Sequence, residues 1–195
     1  MKARLTAAAV LALLATGCGL TGTSGSSGSG EERKAPEMNM QEAAERADAL
    51  LIDTINSIKP PVKWAYGIST DGGCEVSRRI SVTTVISPER RGSFLGVVER
   101  QWEKSGFTHR GTNKSEKTPA TYFLTPDGFQ IRVLFGYQGQ AHFEVATPCV
   151  EKSDVEPPKQ VPGGPTYDGG KAPLPSEKSD FWSAGTPVSG ASPSS

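Results

Sequence analysis

The side chains with the widest chemical range in this 195-residue chain are few: cysteines 18, 74 and 149, and histidines 109 and 142. Zinc binding needs His, Cys, Asp or Glu grouped at ligand spacing. His109 and His142 fall on separate predicted strands, so no metal site and no cofactor is expected. No glycine-rich phosphate loop precedes a helix, and neither a zincin motif nor a serine nucleophile elbow occurs. A histidine can meet a serine or aspartate across a sheet, but many noncatalytic domains offer the same pairing. One basic feature stands out. Arg90 and Arg91 fall in the first turn of a predicted helix, where the macrodipole is positive and acidic side chains are favoured. Glu89 offsets only part of that charge. With the free N–H groups after Ser87, and with Ser93 nearby, Arg90 and Arg91 form a candidate site for a phosphate or carboxylate. Two solvated arginines folding back onto acidic neighbours account for the same residues.

The N-terminal stretch carries a different kind of chemistry. Lys2 and Arg4 make a positive start, Leu5 to Ala15 an apolar run, and Thr16-Gly17 the small residues that precede a peptidase cut. The run is about ten residues, where a membrane span needs about twenty. Leu11-Ala-Leu-Leu-Ala-Thr-Gly-Cys18 resembles the signal peptide and lipobox of bacterial lipoproteins, in the style of small uncharacterised lipoproteins of Gram-positive, actinobacterial type. The leucine that usually stands three residues before the cysteine is here one step further back, at Leu14. The resemblance implies that residues 1–17 are removed and that the Cys18 thiol is diacylglycerylated. Each buried acyl CH₂ contributes about 0.8 kcal/mol, so the mature chain would stay on the outer face of the cell membrane. With Cys18 so committed, Cys74 and Cys149 remain as a pair in an oxidising compartment, the setting in which a disulfide forms. Loss of Lys2 and Arg4 takes the 21 basic residues to 19 against 21 acidic ones, which disfavours nucleic acid as a partner.

The elements that would position these residues follow from periodicity. Asn39 and Glu42 form an Asn-x-x-Glu capping box, and Met40, Ala43, Ala44, Ala47, Leu50, Leu51, Thr54, Ile55 and Ile58 recur at helical spacing. Lys59-Pro60-Pro61 ends that helix. Lys63 to Ser69 reads as a short strand. Val76, Ile80, Val82 and Ile86 then alternate with polar residues, interrupted only by Arg78, which is expected near the strand's open end. Ser87-Pro88 opens a second helix that buries Phe94, Leu95, Val98 and Trp102. It stops at Gly106, with Trp102 and Phe107 spaced as the apolar pair of a Schellman motif. Four strands follow, joined by hairpins: Phe107 to Thr112, Ala120 to Thr125, Phe129 to Phe135 and Ala141 to Thr147. The order α-β-α-β-β-β-β predicts an α+β fold, a mainly antiparallel sheet of about five strands with two helices on one face. Strand directions make the first long strand antiparallel to the last. As neighbours, they bring Cys74 beside Cys149.

The organisation expected is therefore a leader at 1–17, a lipid-bearing flexible tether at 18–37, a globular domain at 38–150 and a disordered Pro/Gly/Ser-rich tail at 151–195. Phe181-Trp182 is the tail's one apolar point and a candidate docking motif for a partner. The leading functional expectation is a noncatalytic, membrane-tethered binding or interaction module whose partner is an envelope protein or polymer. The second is a carrier of a small apolar ligand, in a cavity lined by Phe94, Phe129, Ile131 and Phe135 between sheet and helices. An envelope enzyme ranks last.

Overall fold

In the first helix, α1 (Met40–Ser57), the Asn39 side chain accepts from the Glu42 N–H at 3.0 Å, and the Glu42 carboxylate accepts from the Asn39 N–H at 2.9 Å. Two otherwise unpaired donors are thus satisfied reciprocally. These facts come from a computed structural model that describes residues 37–169 and 172–186. Cys18, the leader and most of the tether lie outside the described residues. The buried face of α1 holds Ala43, Ala44 and Ala47, and such small side chains let the helix lie close to the sheet.

The second helix, α2 (Pro88–Lys104), begins on a proline, whose missing N–H costs nothing in a first turn. It ends as its sequence requires. Gly106 takes φ +78°, Phe107 N–H donates to Trp102 O at 3.0 Å, and Gly106 N–H donates to Glu103 O at 2.9 Å, the paired bonds of a Schellman motif. Trp102 is buried and its indole N–H donates to Thr54 Oγ1 at 2.9 Å, which ties α2 to α1.

The sheet contains β1 (Trp64–Tyr66), β2 (Thr70–Gly72), β3 (Glu75–Val82), β4 (Thr108–Asn113), β5 (Ala120–Leu124), β6 (Gln130–Phe135) and β7 (Ala141–Ala146). The spatial order is β1-β3-β7-β6-β5-β4, with β2 also paired to β3, and each of these pairings is antiparallel. Seven strands thus replace the five or so expected. β1 falls within the short strand expected at Lys63 to Ser69, and β2, at three residues, is too short to show an alternating pattern. Both helices pack on one face, α1 over β3 and β7 and α2 against β5. Val76, Ile80, Val82, Phe123, Ile131, Val133, Phe135, Phe143 and Val145 line that inner face. A Cys74–Cys149 disulfide joins the start of β3 to the end of β7 across a Cα separation of 4.8 Å. It closes a loop of 75 residues, worth up to about 4.5 kcal/mol in the chain-entropy account.

Two expectations are corrected. Arg78 does not sit at an open strand end: it is 3% exposed, beneath α1, where it donates to Glu156 O and faces Asp48. The larger correction concerns residues 151–195, expected to be disordered. Parts of their described length pack on the core and complete it, while Ala172 reaches the hollow beside Arg79, Ser81 and His142. Trp182 is fully buried, edge-on to Phe94 at 5.3 Å, with its indole N–H on Pro60 O at 2.7 Å. Ser87 N–H donates to Trp182 O, Val85 N–H to Glu177 O, and the Tyr66 hydroxyl to Lys159 O. The physical reason is that Val155, Val161 and Tyr167 are spread singly along the chain and Phe181 and Trp182 sit together in a turn, each packing against the core. Mean composition hides such anchors, and periodicity never sees them. Trp182 is therefore core, unavailable to a partner, and the folded unit runs well past residue 150.

Candidate functional site

The face of the sheet opposite the helices is where the polar side chains converge. Because residues directly opposite on neighbouring strands share a face, the registers define three ranks across it. Ser77, Ala146, Gln130 and Leu124 form one; Arg79, Glu144, Arg132 and Tyr122 the next; Ser81, His142, Leu134 and Ala120 the third. The middle rank carries the charge. Glu144 accepts from Arg79 Nε at 2.5 Å and from Arg132 Nη2 at 3.0 Å, so two cations flank one carboxylate. Arg79 is held further by Ile68 O at 3.0 Å and Thr70 Oγ1 at 3.3 Å. Burial pushes the Glu144 carboxyl up, but the hydrogen bonds and charges of Arg79 and Arg132 outweigh it and leave the group below the usual carboxylate range.

A fifth residue joins through an irregularity. The register between β4 and β5 slips between His109 and Gly111, which leaves Arg110 as the extra residue of a bulge. Bulges re-aim side chains. Arg110 lines a hollow of about 580 Å³ together with Tyr122, Leu124, Gln130, Arg132 and Glu144. A second hollow, of about 570 Å³, lies on the other side of Glu144, lined by Ile68, Arg79, Ser81, Leu134 and His142 among others. The two share Glu144, so the face is a shallow trough with the arginines along it.

Ser81 Oγ and His142 Nδ1 meet there at 2.8 Å. Burial holds the His142 imidazole below its ordinary value, so the neutral ring is favoured at pH 7. The other histidine is elsewhere: His109 Nε2 lies 2.9 Å from Thr112 Oγ1, and its ring meets Phe123 edge-on.

The arginines singled out from sequence are arranged differently from the expectation. Arg90 lies over the Phe181 ring at 4.7 Å, and Arg91 over Phe135 at 5.4 Å and against Gly139. Both Nε atoms are buried without a hydrogen-bond partner; the cations face aromatic rings instead of a common point. Ser87 does not cap the helix, since its hydroxyl donates to Ala184 O at 2.6 Å. The C-terminal segment thus lies across the helix start where an anion was expected, and Ser93 sits half-buried on the same helix.

A further charged pair is buried on the inner side. Arg78 Nε approaches Asp48 Oδ1 at 3.4 Å, yet neither atom makes a hydrogen bond. Burial raises the Asp48 carboxyl to about 6, opposed by the Arg78 charge, with Glu45 raising it further and Lys159 lowering it.

The alternating pattern of the strands put Arg79 and Arg132 on a polar face, but it carries no register. Arg79, Glu144, Arg132, Tyr122 and Arg110 converge only once strand neighbours and the bulge are known. Comparison of the chain with protein-family models, with curated proteins and with solved structures returns no match.

Proposed function

We propose that this chain is a lipid-anchored extracytoplasmic protein, held to the cell membrane through acylated Cys18, whose domain is a noncatalytic binding module of the cell envelope. Its partner, an envelope protein or polymer, docks on the outer sheet face. The observation that carries this reading is the rank Arg79, Glu144, Arg132, Tyr122, left uncovered by both helices and flanked by two hollows. Three residues of that rank are charged, and guanidiniums held in place by Glu144 on an open face are preorganised to meet an anionic partner. The carrier reading gains no support: Phe94, Phe129, Ile131 and Phe135 are each at most 1% exposed, and the Trp182 ring packs among them against Phe94.

Two measurements test the proposal. Replacing Cys18→Ser should move the protein from the membrane fraction to the medium, and intact-mass analysis should show a diacylglyceryl adduct only in the wild type. Retention on envelope material isolated from the source cell should fall at least fivefold for Arg132→Glu and stay unchanged for Glu103→Arg, on the exposed side of α2. Equal retention of the two variants would remove the outer face from consideration.

A further inference from the structure

The two ends of the sheet are finished differently. At one end β3 is flanked by β1 and β2, strands of three residues each, and the C-terminal chain packs beside them: Tyr167 meets Tyr66 edge-on at 5.9 Å, and Ala172 joins Gly67 and Ile68 in lining one hollow. At the other end β4 is six residues long and pairs with β5 alone. Among the described residues, no backbone group outside the sheet bonds to that of β4, so a row of its N–H and C=O groups is open. The charge along this edge has one sign. From Thr108 to Thr118, Arg110, Lys114 and Lys117 stand exposed against Glu116 alone, and none of these cations forms an ion pair among the described residues. The bulge places Arg110 in the hollow that Arg132 and Glu144 also line, and at Gly111 the place a Cβ would take is empty of neighbours. Past the bulge, Gly111, Thr112 and Asn113 run in regular register with β5.

From this arrangement we infer that β4 is a docking edge for an extended acidic peptide of a partner protein, which adds to the sheet as a further strand. The inference rests on the binding-module reading above and names the partner's chemistry. Two features select the occupant. A row of main-chain donors and acceptors repeating along a strand is matched by another main chain, whereas a glycan or a lipid headgroup carries no such repeat. A second copy of this chain would bring Arg110, Lys114 and Lys117 up to their own counterparts, and edge lysines with a bulge are a device against that self-pairing. The same charges attract a strand rich in Asp or Glu. Side chains of the added strand, lying about 4.8 Å beyond β4, alternate between the faces of the sheet, so every second one falls on the outer face beside Arg110. The hollow shared by Arg110 and Arg132 is the space into which those acids reach.

The test is equilibrium binding of the full chain, carrying Cys18→Ser for solubility, to a labelled peptide of about eight residues alternating Glu and Thr, long enough to span β4. Comparators are the same peptide with Lys for Glu, and two Glu-Thr peptides N-methylated at alternate positions, one on each set. The Lys peptide should bind at least about tenfold more weakly, and so should one of the methylated pair, the one whose lost N–H groups faced β4, while its counterpart binds as the parent does. Arg110→Glu should weaken the parent peptide by about tenfold, and Lys63→Glu, at the opposite end of the sheet, should leave it unchanged; urea midpoints matching the wild type will show that each variant is folded. Saturating peptide should slow amide hydrogen exchange across Thr108–Asn113. A Lys peptide that binds equally well, methylated peptides that both match the parent, or β4 exchange untouched by the peptide would each overturn the inference, and β4 exchange that slows with protein concentration alone would overturn it in favour of a second copy. The failures are separable. If the peptide fails while Arg132→Glu still loses retention on envelope material, the edge assignment falls alone; if retention is indifferent to Arg132 while Arg110→Glu weakens the peptide, the outer-face reading falls alone.

Discussion

Removing the Trp182 side chain tests whether the C-terminal segment belongs to the core. The indole is fully buried, edge-on to Phe94 and to Phe181, and hydrogen-bonded to Pro60 O at 2.7 Å. An aromatic of this size removes about 200 Å² from water, worth up to about 5 kcal/mol at ~25 cal/mol per Å². Truncation of a buried Trp to Ala typically costs about 3–5 kcal/mol. Against a domain stability of about 5–15 kcal/mol, Trp182→Ala removes roughly a fifth or more. In equilibrium urea unfolding followed by circular dichroism, a slope near ~2 kcal/mol per M turns a 4 kcal/mol loss into a midpoint lower by about 2 M. Trp182→Phe keeps the ring contacts and loses the indole donor, so it should cost about half as much or less. Leu174→Ala, at a residue 47% exposed in the same segment, should shift stability by no more than about 0.5 kcal/mol. Truncation after Ser176 should match or exceed the Trp182→Ala loss. If Trp182→Ala and the truncation both unfold at the wild-type midpoint, the segment is not part of the folded unit.

Reduction of the Cys74–Cys149 bridge, or the double change Cys74→Ser and Cys149→Ser, should lower stability by about 2–4.5 kcal/mol, read as a fall in the urea midpoint under reducing conditions. Asp48 predicts an inverted pH dependence. Its folded value of about 6 stands above the ordinary 3.8, so the folded state holds this proton more tightly. The resulting stabilisation is fully present below pH 3.8 and is lost as the pH rises through about 6; the gap of roughly two units corresponds to about 3 kcal/mol for a side chain only 18% exposed. His142, held low by burial, acts in the opposite sense, its contribution growing as the pH rises through its ordinary 6.5. The difference in stability between pH 4 and pH 7 should therefore move toward higher pH in Asp48→Asn relative to wild type, and an identical pH profile for the two proteins would show that Asp48 is not titrating in this window. Gly139→Ala should destabilise by about 1–2 kcal/mol, because φ is +73° there and the Arg91 guanidinium must move off Phe135 to admit a Cβ; thermal unfolding checks this.

Local signals in the sequence were sufficient wherever the chain folds on itself over short range. The Asn39–Glu42 box and the Gly106 stop each appear as residue types at fixed offsets, and each forms the bonds that those offsets demand. Strand directions went one step further, since the antiparallel neighbours β3 and β7 bring Cys74 to Cys149 without any knowledge of side-chain packing. Register is a different matter. Whether Arg132 meets Glu144 or the residue two places along depends on the geometry of the turn between β6 and β7, whether Arg110 joins them depends on the bulge in β4, and a shift of two residues would leave every apolar side chain still facing inward. The burial pattern is thus indifferent to the very alignment that creates the charged rank. Arg78 and Trp182 reveal the converse limit. An arginine in an apolar strand position reads as an edge, and a tryptophan in polar, proline-rich chain reads as solvated, unless one knows that the C-terminal chain folds back over the domain. Residues 156–162 supply the carbonyl that receives Arg78, and residues 177–184 seat Trp182. A segment of low mean hydropathy can therefore finish a core as long as its few large side chains arrive at gaps already shaped by the helices, and that condition is set by the rest of the fold, not by the segment.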